Sequence, residues 1–375
     1  MKILLTGAGS GGHFYPLIAV AEAINDLVRE RKILEPTLYY AAPEPFDREL
    51  LMANNIQFVP TSAGKVRRYF SLLNIVDLFK TGWGIVRSVL RIFFIYPDVV
   101  FGKGGYASFP MLLAARIFRI PVVIHESDSV PGAVNKWAGK FAEKIAVSYP
   151  EAAQYFPKDK VALTGNPIRK SILLPERQGA HEYLKLDSAL PVLLVLGGSQ
   201  GAMAINELIL AALPQLVEKY QIIHQTGEAN FKEVSGRAKV ALINSPHPER
   251  YKPFGYLNEL ATRMSAGAAT LIITRAGSAL FEIAAWGIPA IVVPLEGSAS
   301  DHQTQNAFAY ARAGAGVVLE QNNLTPGLLL SEVNRLVMNP GLLRSMSEKA
   351  RAYARVDAAR AIAQVLLDIA ISHES

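Results

Sequence analysis

The 33-residue stretch TRAGSALFEIAAWGIPAIVVPLEGSASDHQTQN, from Thr274 to Asn306, constrains the fold more than any other part of the chain. It begins where an apolar strand, Ala268 to Ile273, ends. A Gly/Ser turn follows, then a helix starting near Ala279 with Glu282 in its first turn. A second apolar strand, Ala290 to Val293, leads into a polar loop and another helix start, which carries Gln303 and Asn306. Strand, turn, helix and strand in this order form the unit of a parallel α/β sheet. In open sheets of this kind, ligands gather outside the carboxyl ends of the strands. A helix N-terminus there offers unpaired N–H groups and partial positive charge, which suit a phosphate. Glu282 only accepts hydrogen bonds at neutral pH, so sugar hydroxyls match it better than phosphate. An ordinary connection with normal caps has the same spacing.

The same plan occurs three times upstream. Lys2 to Thr6 reads as a buried strand, followed by GAGSGGHFYP and an amphipathic helix through about Arg29. Gly7, Gly9 and Gly12 satisfy the dinucleotide pattern G-x-G-x-x-G. That pattern also needs an acid closing the next strand, whereas Thr37 to Ala41 runs into Ala-Pro, with Glu44 beyond. NAD is therefore not expected. The glycines still let a ligand approach the backbone. His13 follows them at the helix start, where the dipole favours a neutral, proton-accepting imidazole. A general base and a packing histidine are both compatible with that place. Val99 to Phe101 is the next strand, with a second glycine loop, Gly102 to Pro110, at its end. Val122 to Ile124 runs into His125-Glu126-Ser127-Asp128, and Asn135-Lys136-Trp137 opens the helix after it. Strands Ile145 to Val147 and Val161 to Leu163 close this half.

Gly165-Asn166-Pro167-Ile168-Arg169 reads as a domain junction, and Leu174 to Leu190 is polar and irregular. Strand Val192 to Leu196 then starts a second α/β unit. It leads into a third glycine loop, Gly197 to Ala202 with the Ser199 hydroxyl, and a helix from about Ile205. Ile222 to His224 is a strand and Pro253 to Leu257 a loop. The closing helices are Pro340 to Ala354 and Ala358 to Ile371. The expected domains are 1–164 and 165–355, with a closing helix over about 356–375 packed back on the first.

With 375 residues, two domains are expected. The absence of cysteine excludes disulfides and thiolate metal sites. No stretch approaches the ~18 apolar residues of a membrane span, and the four-residue apolar start is too short for a signal peptide. The net charge of +6 is unevenly spread. Lys65, Arg67, Arg68, Lys80, Arg87 and Arg91 face a single acid, Asp77, so residues 65–91 carry +5. The helical stretch 65–95 also bears Leu72, Leu73, Ile75, Val76, Phe79 and Trp83, more apolar surface than one core-facing stripe needs. Apolar side chains flanked by basic ones suit a membrane interface. A helix buried on two sides is the alternative.

Taken together, GSGGHFYP, GKGGYASFP, HES-D, NKW, GNPIR, GGSQGA, TRAGS…FEIAAWGIPAIVVP and DHQTQNA resemble the MurG family. These are the UDP-N-acetylglucosamine–N-acetylmuramyl-(pentapeptide) pyrophosphoryl-undecaprenol N-acetylglucosamine transferases, GT-B enzymes of glycosyltransferase family 28. The resemblance covers nearly the whole chain. It implies an α/β architecture of two Rossmann-like, doubly wound parallel-sheet domains facing a central cleft. It further implies an inverting transferase that moves GlcNAc from UDP-GlcNAc to the 4-hydroxyl of lipid I, the polyprenyl-diphosphate-linked MurNAc-pentapeptide, giving lipid II for peptidoglycan. The expected place is the cytoplasmic side of the bacterial cell membrane, peripherally bound to an anionic surface, with no nucleic-acid partner.

The implied donor contacts are Ser10, Gly11, Gly12 and Asp128 from the first domain, Arg169 and Ser199 on the diphosphate, and Leu257 beside Phe254 on the uracil. Gly277, Ser278, Ala279, Leu280, Phe281 and Glu282 cover the nucleotide, with Glu282 on the ribose, and Gln303 binds the transferred sugar. The acceptor loop carries Gly104, Gly105, Tyr106 and Ser108, with Asn135 nearby. His13 is the first candidate for general base, followed by Glu126 and Asp128. Ser10 stands where the family usually has Thr, and Asp128 where it usually has Asn. The run from Arg275 to Glu282 is one residue short. No Asp-x-Asp metal motif occurs, so no metal or other cofactor is expected, while Mg²⁺ riding on the nucleotide stays compatible. Alternatives are a GT-B transferase acting on diacylglycerol, a UDP-GlcNAc 2-epimerase, and a non-catalytic nucleotide-sugar-binding subunit. Incubation with UDP-GlcNAc alone separates an epimerase from a transferase.

Overall fold

The structure, a computed structural model, describes residues 1–7, 10–64, 73–198, 201–298 and 301–374, without the side chains of 73–76, 78 and 374. The chain divides into two units, Met1–Lys170 with Val356–Ser375, and Ser171–Arg355.

The first unit holds seven parallel strands: β1 (Lys2–Thr6), β2 (Thr37–Ala42), β3 (Ile56–Pro60), β4 (Val99–Gly102), β5 (Val122–Glu126), β6 (Lys144–Val147) and β7 (Val161–Leu163). Their order is β3-β2-β1-β4-β5-β6-β7, so the winding reverses between β1 and β4. Ile3, Leu4 and Leu5 are all inaccessible because helices cover both faces of the sheet. Helix Gly11–Arg31 covers one face, and the closing helix Ala358–Glu374 packs on it through Ile362, Leu366, Leu367 and Ala370. Arg31 pairs with Asp368 at 2.9 Å, and Arg360 with Glu30 at 2.5 Å. Helices Leu73–Ile95 and Phe109–Ile117 pack together on the other face, burying Ile92, Met111, Leu112 and Ala115.

The second unit has six parallel strands: β8 (Val192–Leu196), β9 (Gln221–Gln225), β10 (Tyr251–Phe254), β11 (Leu271–Thr274), β12 (Ala290–Val292) and β13 (Gly316–Val318). Their order is β10-β9-β8-β11-β12-β13. Several sequence readings change here. Pro253 and Phe254, expected in a loop, belong to edge strand β10, where Pro253 lies opposite His224. An edge strand pairs on one side only and tolerates a residue without an N–H. The strand expected from Ala268 starts at Leu271, because Ala268 ends helix Glu259–Ala268. In the first unit, Asn135 to Trp137 lie inside helix Ala133–Ala138 rather than at its start. The edge strands β3 and β13 were not anticipated.

Candidate active site

In the first unit the candidate groups gather at the carboxyl ends of β1, β4 and β5, on either side of the winding reversal. Ser10 caps the Gly11–Arg31 helix in extended conformation, and its carbonyl accepts the N–H groups of His13 (3.1 Å) and Phe14 (3.2 Å). The Ser10 hydroxyl lies 3.0 Å from Nδ1 of His13. Gly11 is buried against the Tyr15 ring, and Gly12 and His13 are half-buried. The Arg169 guanidinium stacks on the same Tyr15 ring, 4.1 Å from its centroid.

The second glycine loop turns on Gly104 and Gly105, with φ of 81° and 79°. A side chain on Gly104 would meet Asn135 Nδ2 at 2.7 Å, so both its conformation and its neighbour require glycine there. Tyr106 and Ser108 form a short 3₁₀ turn before helix Phe109–Ile117, and the Ser108 hydroxyl donates to Gly105 O at 2.9 Å. The buried Asn135 amide donates to His125 O at 3.0 Å and to Glu126 Oε2 at 2.9 Å. Glu126 also accepts the backbone N–H groups of Asp128 and Gly132, each at 3.0 Å. Burial, then the charge of Asp128, pushes the Glu126 carboxyl above the usual range. Its oxygens thus hold the 126–135 loop in shape, while Asp128 itself is half-buried. Burial, and then the Lys103 charge, keep His125 neutral. A neutral His125 donates from Nε2 to Gly165 O at 2.9 Å, tying this loop to the junction.

In the second unit the candidate groups lie at the ends of β8, β10, β11 and β12. Ser199 is outside the described residues. Of its loop, Gly201 has φ of 75°, and a side chain there would strike Thr226 O at 2.3 Å. The loop is braced by Gln225, whose amide donates to Gly198 O at 3.3 Å. Behind it, His224 contacts the Tyr251 hydroxyl at 2.9 Å and Asn206 Oδ1 at 3.0 Å, and Asn206 Nδ2 donates to Thr226 O. Phe254 is partly buried, and Leu257 is buried with its carbonyl accepting from Thr262 at 3.1 Å.

Helix Ala279–Trp286 begins at Ser278, and the space beside Gly277 is open. Gly277, Ser278, Ala279 and Glu282 are half-buried. Leu280 and Phe281 turn inward, Phe281 stacking on Tyr353 with ring centroids 6.1 Å apart. A ligand can meet those two only through their backbone. Arg275, absent from the expected site, clamps the exit of β12 by donating to Val293 O, Pro294 O and Gln321 Oε1. Gln303 Oε1 accepts Leu295 N at 2.9 Å, and Asn306 donates to Ala276 O at 3.1 Å, so both amides support the loops. Among the described residues, no group of three His, Asp or Glu side chains is arranged to hold a metal ion.

Of the candidate membrane residues, Leu72 is outside the described residues, and Leu73, Ile75 and Val76 lie on helix Leu73–Ile95 without described side chains. Phe79 is 75% and Trp83 61% exposed. The exposed stripe continues through Val86, Leu90 and Phe94, at steps of three and four residues. Lys80, Arg87 and Arg91 are also exposed. Among the described residues, no helix is long and apolar enough to cross a membrane.

Family models for the N-terminal and C-terminal domains of glycosyltransferase family 28 match residues 3–147 and 192–365. A curated relative from Treponema denticola, named UDP-N-acetylglucosamine–N-acetylmuramyl-(pentapeptide) pyrophosphoryl-undecaprenol N-acetylglucosamine transferase, is 35% identical across 96% of this chain and 93% of its own. The crystal structure of Acinetobacter baumannii MurG is similar over 98% of this chain and 99% of its own, with TM-score 0.71 and 27% identity. A UDP-GlcNAc 2-epimerase from Neisseria meningitidis, solved with UDP-GlcNAc, covers 98% of this chain and 100% of its own at TM-score 0.66. At 17% identity it shares the fold alone. The chain therefore belongs to glycosyltransferase family 28, in the family of UDP-N-acetylglucosamine–N-acetylmuramyl-(pentapeptide) pyrophosphoryl-undecaprenol N-acetylglucosamine transferases.

Proposed function

We propose that this chain is an inverting glycosyltransferase that moves GlcNAc from UDP-GlcNAc to the 4-hydroxyl of a MurNAc-pentapeptide carried on undecaprenyl diphosphate. The observation that carries this reading is 35% identity to a named transferase along nearly the full length of both chains. Epimerases share the fold at half that identity, so a 2-epimerase is not favoured.

Attack of a hydroxyl on the anomeric carbon needs a base within hydrogen-bond reach and stabilisation of the departing diphosphate. His13 is the base in this reading. With Nδ1–H donating to Ser10 Oγ, Nε2 keeps its lone pair and faces the task of accepting the 4-hydroxyl proton. Asp128 is the reserve candidate, because Glu126 is already engaged by three donors. Arg169, whose guanidinium lies over the Tyr15 ring, and Ser199 take the diphosphate charge. Leu257 meets the uracil through its backbone beside Phe254. The N-terminal turn from Gly277 to Glu282 covers the ribose, and Gln303 meets the sugar. Gly104 to Ser108 and Asn135 shape the acceptor loop. A polyprenyl acceptor stays in the bilayer, so the enzyme works at its cytoplasmic surface as a peripheral protein. The exposed stripe of the Leu73–Ile95 helix, with its basic neighbours, is the contact with anionic lipid.

Radiolabelled GlcNAc transfer from UDP-GlcNAc to a lipid-linked muramyl pentapeptide tests the reaction. Transfer is expected only when the acceptor is present. Turnover of UDP-GlcNAc alone to its 2-epimer would replace this reading with the epimerase one.

A further inference from the structure

A chain of buried polar side chains runs behind the third glycine loop, and its direction follows from one fixed end. The Thr226 carbonyl, which only accepts, lies 3.1 Å from Nδ2 of Asn206. The amide nitrogen of Asn206 therefore faces Thr226, and its Oδ1 faces His224 Nε2 at 3.0 Å. An amide oxygen also only accepts, so Nε2 carries the proton. Burial holds the His224 pKa at about 3, so the ring is neutral and Nδ1 is bare. Nδ1 must then accept, and its partner at 2.9 Å is the Tyr251 hydroxyl, which burial keeps protonated. The protons thus all point one way, from Tyr251 through His224 and Asn206 to the Thr226 carbonyl. His224, Asn206 and Thr226 are inaccessible and Tyr251 is buried, so breaking any link strands a polar group away from water. The Thr226 carbonyl is where this chain meets the loop. It also accepts from Asn230 Nδ2 at 3.2 Å, and a side chain on Gly201 would strike it at 2.3 Å. Asn206 sits one turn beyond the loop, its N–H donating to Ala202 O at 2.9 Å. The Thr226 N–H donates to Phe254 O at 2.9 Å, so Thr226 abuts the glycine loop on one side and β10 on the other. Apolar side chains of the same size would fill this space with nothing to satisfy. What the polar chain adds is one fixed place for a carbonyl, as a fully satisfied buried network does.

We propose that Asn206 and His224 are positioning residues, whose directional hydrogen bonds fix the Thr226 carbonyl against Gly201 and so hold the loop that carries Ser199 in the shape that meets the donor diphosphate. The contact with the diphosphate rests on the transferase reading, whereas the hydrogen-bond chain itself does not. Long-range ¹H–¹⁵N NMR of the histidine rings in the full-length protein reads the chain, with His224 assigned by its loss in His224→Gln. His224 should show the Nε2–H tautomer with a bare Nδ1 at neutral pH. Tyr251→Phe should shift the Nδ1 resonance while Nε2 stays protonated. An Nδ1–H tautomer, a doubly protonated ring, or an Nδ1 resonance indifferent to Tyr251→Phe overturns the chain. Ligand affinity reads the positioning. Asn206→Leu and His224→Leu each break one link and should weaken UDP about 10-fold, while uridine, which lacks the diphosphate, stays within about twofold. His224→Gln, whose amide can still donate to Asn206, should stay within about threefold of wild type for both ligands. Tyr251→Phe removes a single oxygen and serves if the leucine variants fold poorly; it should weaken UDP alone, by about threefold. Equal losses for UDP and uridine, or no loss for UDP in any of these variants, overturn the positioning role. Absence of UDP binding to the wild-type protein would strike the transferase reading and the positioning with it, while the tautomer still decides the chain.

Discussion

Ser10 Oγ and His13 Nδ1 stand 3.0 Å apart across the first turn of the Gly11–Arg31 helix, a hydrogen bond that orients the imidazole ring. If His13 is the base, His13→Ala lowers kcat about 10²–10⁴-fold and leaves donor affinity nearly intact. Ser10→Ala removes only the orienting bond and should cost about 3- to 10-fold in kcat, with Ser10→Thr close to wild type. Near wild-type kcat in His13→Ala would return this histidine to packing. A damaging Asp128→Asn in that case would make Asp128 the base.

Glu282 sits in the first turn of helix Ala279–Trp286, half-buried, beside the open space at Gly277. Its proposed partner is the ribose, common to UDP and UDP-GlcNAc. Glu282→Ala should weaken both equally, by roughly 1.5–3 kcal/mol for a charge-assisted hydrogen bond. Calorimetry with the two ligands reads this directly, and unchanged UDP affinity would remove Glu282 from the site.

His224 predicts an acid sensitivity of the second unit. It is fully buried between Tyr251 and Asn206, and burial depresses its pKa to about 3. The unfolded chain takes up the proton near pH 6.5 and the folded chain does not, so unfolding binds protons between these values. Stability is then highest above pH 6.5 and falls by about 1.4 kcal/mol per pH unit as the pH drops toward 3. Denaturant unfolding at several pH values should show this slope, and His224→Gln should flatten it. An equal slope in the variant would assign the acid sensitivity elsewhere, for instance to His125.

The strands buried on both faces were legible as continuous apolar runs, β1 and β8 above all, because parallel sheets sheathed by helices need no polar alternation. The glycine loops after β1, β4 and β8 were legible for the same reason, since each follows such a run. Of the edge strands, β7 was expected at Val161 to Leu163, whereas β3, β10 and β13 were not. β10 contains Pro253, which argues against a strand in the sequence and is tolerated here because the strand lies at the edge. The caging of Glu126 was also out of reach, because its donors at positions 128, 132 and 135 converge only once the loop has folded. The burial of Lys103, 1% exposed inside a glycine loop, was likewise not anticipated. The inward turn of Leu280 follows the helical spacing it shares with Ile283 and Ala284.

The stripe on helix Leu73–Ile95 gives the last prediction. Phe79 and Trp83, four residues apart, share one face of the helix, and which face stays uncovered depends on the packing of helix Phe109–Ile117 against the opposite side through Ile92. The exposed face therefore extends further along the helix, to Phe94, than the basic cluster at 65–91 suggested. An aromatic side chain moved from water into the acyl boundary contributes about 1.5–3 kcal/mol, and each exposed Lys or Arg near an anionic leaflet about 1 kcal/mol. Replacing Phe79, Trp83 and Phe94 together by Ser should thus weaken binding to vesicles of anionic lipid at least about 100-fold. Added salt should weaken it further, by screening Lys80, Arg87 and Arg91. Because the three side chains are already in water, folding stability should change by no more than about 0.5 kcal/mol for each. Transfer to a short-chain, water-soluble acceptor should survive the triple substitution, while transfer to the polyprenyl acceptor in vesicles should fall with binding. A steep loss of melting temperature would mean that these side chains support the fold, and vesicle binding indifferent to both substitution and salt would place the membrane contact on another face.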